Sequence, residues 1–144
     1  MTDAERAKEL LAKNSFTLVL VKEKNVYTSE RRGVAPLLEL LNGGADVRGF
    51  SAADRVVGKA AALLYCLLGV KEVYAEVMSE LAQKALLSHG IFCESARTVP
   101  RIINRTGDGP CPMEAAVEHI DDPAAAKLAI EEKLKRMQNK KSSV

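Results

Sequence analysis

The sequence predicts an α/β protein: a three-layer α/β/α core around a mixed sheet, followed by a C-terminal helical extension. Two observations predict the core. Two short apolar strands joined by a polar turn lie near the N-terminus, and helical and strand patterns then alternate through the middle of the chain. A third observation, an amphipathic C-terminal segment, predicts the extension. The length of 144 residues suits one core.

The N-terminal part predicts a helix, a hairpin and a second helix. Thr2 and Glu5 have the spacing of a capping box, which opens the first helix. Phe16–Val21 and Asn25–Thr28 predict the two strands of the hairpin. Ala35–Leu41 predicts a short helix that the following glycines end.

The middle of the chain predicts a buried helix followed by a strand. Ser51 and Asp54 have the spacing of a helix N-cap, so we expect an almost wholly apolar helix to follow and to end at Gly69. Such a helix is typical of a buried position on a sheet. Lys59 would lie in its second turn, and Val70–Val77 would return as a strand.

The remaining elements complete the alternation. Ser79 is expected to cap a helix that reaches His89, and a strand or extended segment begins at Ile91. Pro112 is expected to start a helix, and Asp121-Asp122-Pro123 to cap the last one. We therefore divide the chain into an α/β core, 1–122, and a helical extension with its tail, 123–144.

Composition bounds the class of partner and the compartment. A net charge of +2 with dispersed basic residues, and 4% aromatic residues, argue against nucleic acid. The longest apolar run, Ala60–Leu68, is about half of a membrane span. The polar N-terminus has no signal-peptide pattern. We expect a cytoplasmic protein with no nucleic-acid or membrane partner.

The cysteines and histidines predict neither a disulfide framework nor a metal site. Cys66, Cys93 and Cys111 are widely spaced and form no Cys-x-x-Cys motif, which is typical of reduced thiols. His89 and His119 lie at no ligand spacing from them or from each other. No metal and no cofactor is expected.

Three segments carry a resemblance to a known family. They are residues 54–62, which begin with Asp54, residues 79–82, and residues 104–114, which include Cys111 and Glu114. With the order of elements, they resemble the cytidine-deaminase-like fold. More closely, the chain looks like a small prokaryotic family, a domain of unknown function, that has this fold with an added helical extension. The resemblance covers roughly residues 10–120.

The chain departs from zinc deaminases at the positions that matter for their chemistry. Those enzymes begin one helix with His-x-Glu and the next with Pro-Cys-x-x-Cys. Here the two places read Lys59-Ala-Ala and Ser79-Glu-Leu-Ala82. A lysine ammonium could take the place and charge of the metal, but it cannot coordinate and activate water. The resemblance therefore implies a zinc-independent protein.

Five residues are candidates for the site, and each has a structural alternative. Lys59, Cys111 and Glu114 are the catalytic candidates, while Asp54 and Ser79 are the ligand-binding candidates. Lys59 could instead pair with a carboxylate, and Cys111 could be a small apolar filler. Glu114, Ser79 and Asp54 could act as helix caps.

A cluster of arginines beside the loop at residues 107–109 is a weaker candidate. Arg97, Arg101 and Arg105 recur at every fourth position, which suggests a phosphate clamp. Pro100 argues against one helix that aligns them, so solvated charges are the favoured interpretation.

Two hypotheses of different class follow. In the first, the chain is a zinc-free module that binds a small anionic or nucleotide-like ligand with Lys59 and Ser79. In the second, it is an enzyme of altered, metal-independent chemistry, with Lys59 or Cys111 as the reactive group and Glu114 or Asp54 moving protons. A structural role and a homo-oligomer stay open, since the C-terminal helix and Ile91-Phe92 offer apolar surface.

Overall fold

Within the part of the chain that the structure describes, eleven elements form a five-stranded sheet with helices on both faces. The computed structural model describes residues 1–104, 106–107 and 109–142, without the side chains of residues 140–142. In chain order the elements are α1 (Asp3–Lys13), β1 (Leu18–Lys22), β2 (Asn25–Ser29), α2 (Ala35–Asn42), β3 (Ser51–Val57), α3 (Lys59–Leu68), β4 (Glu72–Ser79), α4 (Glu80–Ser88), β5 (Phe92–Val99), α5 (Pro112–Ala116) and α6 (Pro123–Ser142).

The sheet is mixed, as the sequence predicts. Its strand order is β2-β1-β3-β4-β5. β1 pairs antiparallel with β2 and β3, whereas β3, β4 and β5 are parallel. Alternate residues of β1 divide between two cores: Val19 packs with Leu11 of α1 on one face, and Leu20 packs with the larger core on the other. Helix α3 lies in that larger core, with Leu63, Leu64 and Tyr65 fully buried.

The predicted helix start at Ser51 and Asp54 is wrong, because these residues lie in strand β3. β3 is paired on both sides, by β1 and β4, and four of its seven residues are buried, so sheet pairing decides its structure over the local Ser-x-x-Asp signal. Ser51 does not cap a helix; its hydroxyl donates to Glu72 Oε2 at 2.6 Å. Lys59 is consequently the first residue of α3 rather than part of its second turn.

Most of the predicted caps are confirmed. Thr2 Oγ1 accepts from the backbone N–H of Glu5, and Asp122 Oδ2 accepts from the N–H of Ala125. Gly69 ends α3 with φ of 71°, a left-handed conformation that favours glycine. Several boundaries differ: β1 begins at Leu18 rather than Phe16, and α5 ends at Ala116 rather than at residue 119. β4 runs from Glu72 to Ser79 rather than from residue 70 to 77, whereas β5 ends at Val99, just before Pro100.

The C-terminal helix α6 packs on α3 and α5. Ala126 and Ile130 of α6 are fully buried in the larger core, whereas Leu128 is exposed on the outer side. The two residues that were expected to offer apolar surface for self-association differ in burial: Ile91 is buried, whereas Phe92 is 62% exposed. Within the described ranges, no helix combines the length and the apolar character that crossing a membrane requires.

Candidate functional site

A cavity of about 410 Å³ lies where β3 ends and α3 begins. The carboxyl ends of parallel strands are where α/β folds place ligands. Four parts of the chain supply its walls: the start of β1, the β2–α2 connection, the β3–α3 junction and the C-terminal segment before α6. Its lining residues are Thr17, Leu18, Arg31, Arg32, Gly33, Val34, Pro36, Leu37, Asp54, Arg55, Val56, Gly58, Ala60, Ala61, Ile102, Cys111, Met113 and Glu114.

Asp54 supplies a carboxyl group to this cavity from near the end of β3. Tyr65, which is 0% exposed, donates its hydroxyl to Asp54 Oδ2 at 2.6 Å. Burial raises the pKa of Asp54 to about 6, against the opposing effects of the Tyr65 hydroxyl and of the backbone N–H groups of Arg55 and Val56. The carboxyl group therefore exchanges its proton near neutral pH, which is typical of functional sites.

The nearest cation, Arg55, is held by other groups. Its Nε donates to Phe16 O at 3.0 Å, and one Nη donates to Leu11 O and Asn14 O at 2.7 and 2.9 Å. The other Nη pairs with Glu76 at 2.7 Å. Arg55 thus fastens α1 and the loop after it to the sheet. Its guanidinium forms its ion pair with Glu76 rather than with Asp54, although its charge still lowers the pKa of Asp54.

Glu114 caps the N-terminus of α3. Its Oε1 accepts from Lys59 N at 2.7 Å, and its Oε2 accepts from Ala60 N at 2.8 Å. Both oxygens therefore satisfy backbone donors that a helix start leaves unpaired. Gly58, the N-cap residue, leaves room for this contact, because a Cβ atom there would overlap the Glu114 carboxylate. Of the two roles predicted for Glu114, capping is thus observed, although on a different helix.

Lys59 extends its side chain away from this cavity. The residue is 8% exposed, and its Nζ donates to Glu118 O at 3.3 Å and pairs with Asp121 Oδ1 at 3.1 Å. It lines a second cavity of about 340 Å³, together with Leu63, Leu81, Lys84, Ala85, Ser88, His89 and Asp121. The structure therefore brings Asp54, Cys111 and Glu114 together around one cavity, while the Lys59 ammonium lies by the other.

Ser79 is fully buried and caps α4, its Oγ accepting from Ala82 N at 3.0 Å. It lines neither cavity. Lys59 at the start of α3 carries an ammonium, and Ser79 and Ala82 at the start of α4 carry a capping hydroxyl and a methyl group, none of which is a usual zinc ligand. Across the described ranges, no three His, Cys, Asp or Glu side chains form a group that could hold a metal ion.

The basic rim of the cavity is a feature that was not predicted from the sequence. Arg31 and Arg32 line it and are exposed. Arg31 pairs with Glu39, whereas Arg32 has no ion-pair partner in the part of the chain that the structure describes. The two adjacent arginines immediately before Gly33 are the sequence signal from which this rim could have been predicted. Arg97 and Arg101 are exposed and line neither cavity, and Arg105 lies outside the described residues.

Cys111 is expected to be the first thiol that a maleimide modifies. Burial raises the pKa of Cys66 to about 11 and also raises the pKa of Cys93, so few of these thiols are ionised near pH 7. Cys111 lines the cavity just before α5. Mass spectrometry of the native protein after brief labelling measures the order. Loss of the fast phase in Cys111→Ser supports this assignment, and an unchanged fast phase contradicts it.

The fold and the cavity define a mixed α/β protein with a candidate small-molecule site at the N-terminus of its buried helix. The chain belongs to the family described as Domain of unknown function (DUF1893), which it matches over residues 6–134. Its fold is similar to the crystal structure of a DUF1893 family protein (TM1506) from Thermotoga maritima. The two are 25% identical with a TM-score of 0.81, over 94% of this chain and 91% of that one. No curated protein matches the chain.

Proposed function

We propose that this protein is a zinc-free binding module that holds a small anionic or nucleotide-like ligand in the cavity beside Asp54. The observation that carries the proposal is the convergence of polar groups on a largely apolar cavity. Asp54, Cys111 and Glu114 lie around it, and Arg31 and Arg32 form its rim. A volume of about 410 Å³ is in the range of small-molecule sites.

The topology supports a cytidine-deaminase-like architecture for this module. An antiparallel hairpin is followed by β3-α3-β4-α4-β5, and the three strands of that unit are parallel. The cavity lies at the start of α3, which in this proposal corresponds to the helix at which zinc deaminases carry His-x-Glu. In this proposal Lys59 and Ser79 hold the starts of α3 and α4 in place, and Asp54 and Arg32 contact the ligand.

A metal-independent enzyme is the second candidate. The observation that favours it is that a thiol, Cys111, and a carboxyl group of raised pKa, Asp54, line the same cavity. Convergence of such groups is the geometric requirement for catalysis. Turnover of a bound compound, abolished by Cys111→Ser while binding persists, would favour the enzyme over the binding module.

A thermal-shift screen of metabolites tests the binding proposal. A ligand at about one hundred times its Kd stabilises the native state by about 2.7 kcal/mol, which raises the melting temperature measurably. We expect a hit with the wild type that is weakened by Arg32→Gln. Arg136→Gln, on the exposed side of α6, is the matched control. Hits that respond equally in both variants, or no hit at all, would overturn the proposed site.

A further inference from the structure

We propose that the ligand of this cavity is amphoteric: a cationic or N–H-donating group lies against Asp54, and an anionic group lies beside Arg32. This inference rests on the proposed function and narrows its ligand from any small anion to one class. It follows from three parts of the cavity, which differ in charge and in burial.

The buried end of the cavity, beside Asp54, favours a hydrogen-bond donor from the ligand. Two carboxyl groups line the cavity, but both oxygens of Glu114 already accept backbone N–H groups. Asp54 accepts from the buried Tyr65 hydroxyl and from the backbone N–H groups of Arg55 and Val56, which leaves about one of the four acceptor positions of an ionised carboxylate for a further donor. Arg55, the adjacent cation, is held by Glu76 and by backbone carbonyls. An ammonium or amidine-like group would supply the missing charge-assisted hydrogen bond.

Most of the other residues that line the cavity are apolar. They include Leu18, Val34, Leu37, Ala61, Ile102 and Met113. Surfaces of this kind favour a ring or a short hydrocarbon and offer no hydrogen bonds to a wholly polar ligand.

The exposed end of the cavity, beside Arg31 and Arg32, favours an anionic group of the ligand. Arg31 and Arg32 are exposed, in contrast to the buried Tyr65 that adjoins Asp54. Because Arg31 pairs with Glu39, Arg32 is the guanidinium that can bind a carboxylate or a phosphate. The two ends thus have opposite charge, and a ligand that is anionic throughout would be repelled by Asp54 when that carboxyl group is ionised.

Three matched aromatic probes test this polarity: 4-(aminomethyl)benzoate, 4-methylbenzoate, which lacks the ammonium, and 4-methylbenzylamine, which lacks the carboxylate. We expect isothermal titration calorimetry at pH 7.5 to show that the first binds at least about tenfold more tightly than either of the others. Asp54→Asn should abolish its advantage over 4-methylbenzoate. Arg32→Gln should abolish its advantage over 4-methylbenzylamine, and Arg136→Gln should preserve both ratios.

Three results would overturn the inference: equal affinity for the three probes, an ammonium preference that persists in Asp54→Asn, or no binding of any probe at millimolar concentration. The proposed function fails separately. If the metabolite screen yields a hit that depends on Arg32 while these probes do not discriminate, the binding module stands and its amphoteric specificity does not. If neither experiment detects binding at the cavity, both proposals fall.

Discussion

The free energy of unfolding of Asp54→Asn, measured relative to that of the wild type, is expected to increase as the pH rises from 4 to 8. The pKa of Asp54 is about 6 in the folded protein, above its ordinary value of 3.8. The folded state therefore binds this proton more tightly than the unfolded state does. Protonated Asp54 therefore contributes stability that is fully present below the pKa of this group in the unfolded state. That contribution, about 3 kcal/mol, is lost as the pH rises through the pKa of the group in the folded state. Asparagine has no proton to lose.

Urea denaturation of both proteins across this range measures the effect, because other titrating groups cancel in the difference. The control is Asp46→Asn. Asp46 is exposed, and hydrogen bonds from Arg48 lower its pKa to about 2, so its difference from the wild type should stay flat between pH 4 and 8. A difference for Asp54→Asn that does not change with pH would contradict the burial of this carboxyl group. If the difference does grow, the native protein retains a destabilising carboxylate, as functional sites often do.

Glu114→Ala is expected to lower the free energy of unfolding by about 2 to 3 kcal/mol, since two charge-assisted hydrogen bonds at the start of a buried helix are lost. Gly58→Ala should have a similar effect, because its methyl group would displace the Glu114 carboxylate. The double variant should then lose little more than either single one. Glu118→Gln, an exposed neighbour in the same segment, is the control.

Chemical denaturation of the four variants provides this comparison. Additive losses in the double variant would contradict the assignment, since they would mean that Gly58 and Glu114 act through separate contacts. A loss in Glu118→Gln comparable to that in Glu114→Ala would also contradict it, because the effect would then come from the segment as a whole.

Local sequence signals predicted the parts of the fold that local contacts determine. Thr2 and Ser79 cap the helices that follow them, and the hairpin is present with β2 starting at Asn25. β3 could not be predicted in this way, because Ser51, Ala52 and Ala53 are all buried and the strand therefore lacks the alternation that indicates a strand. The Ser51–Asp54 spacing then indicated a cap, although pairing with β1 and β4 decided the structure.

The site was predictable only in part, because its contacts join distant segments. Asp54, Cys111 and Glu114 were singled out for their chemistry, and they line one cavity. Nothing local indicates that Glu114 caps α3, or that the Lys59 ammonium lies with Asp121. Arg31 and Arg32 belong to the site only because the β2–α2 connection and the β3–α3 junction, which are distant in sequence, line the same cavity.

The carboxyl carbon of Asp54, followed by ¹³C NMR through a pH titration, is the most direct measurement of the central claim. We expect a midpoint of about 6 in the free protein, and a lower midpoint when 4-(aminomethyl)benzoate is bound, because the ammonium stabilises the carboxylate. A midpoint at the ordinary aspartate value of 3.8 in the free protein, or one that the bound compound leaves unchanged, would contradict it.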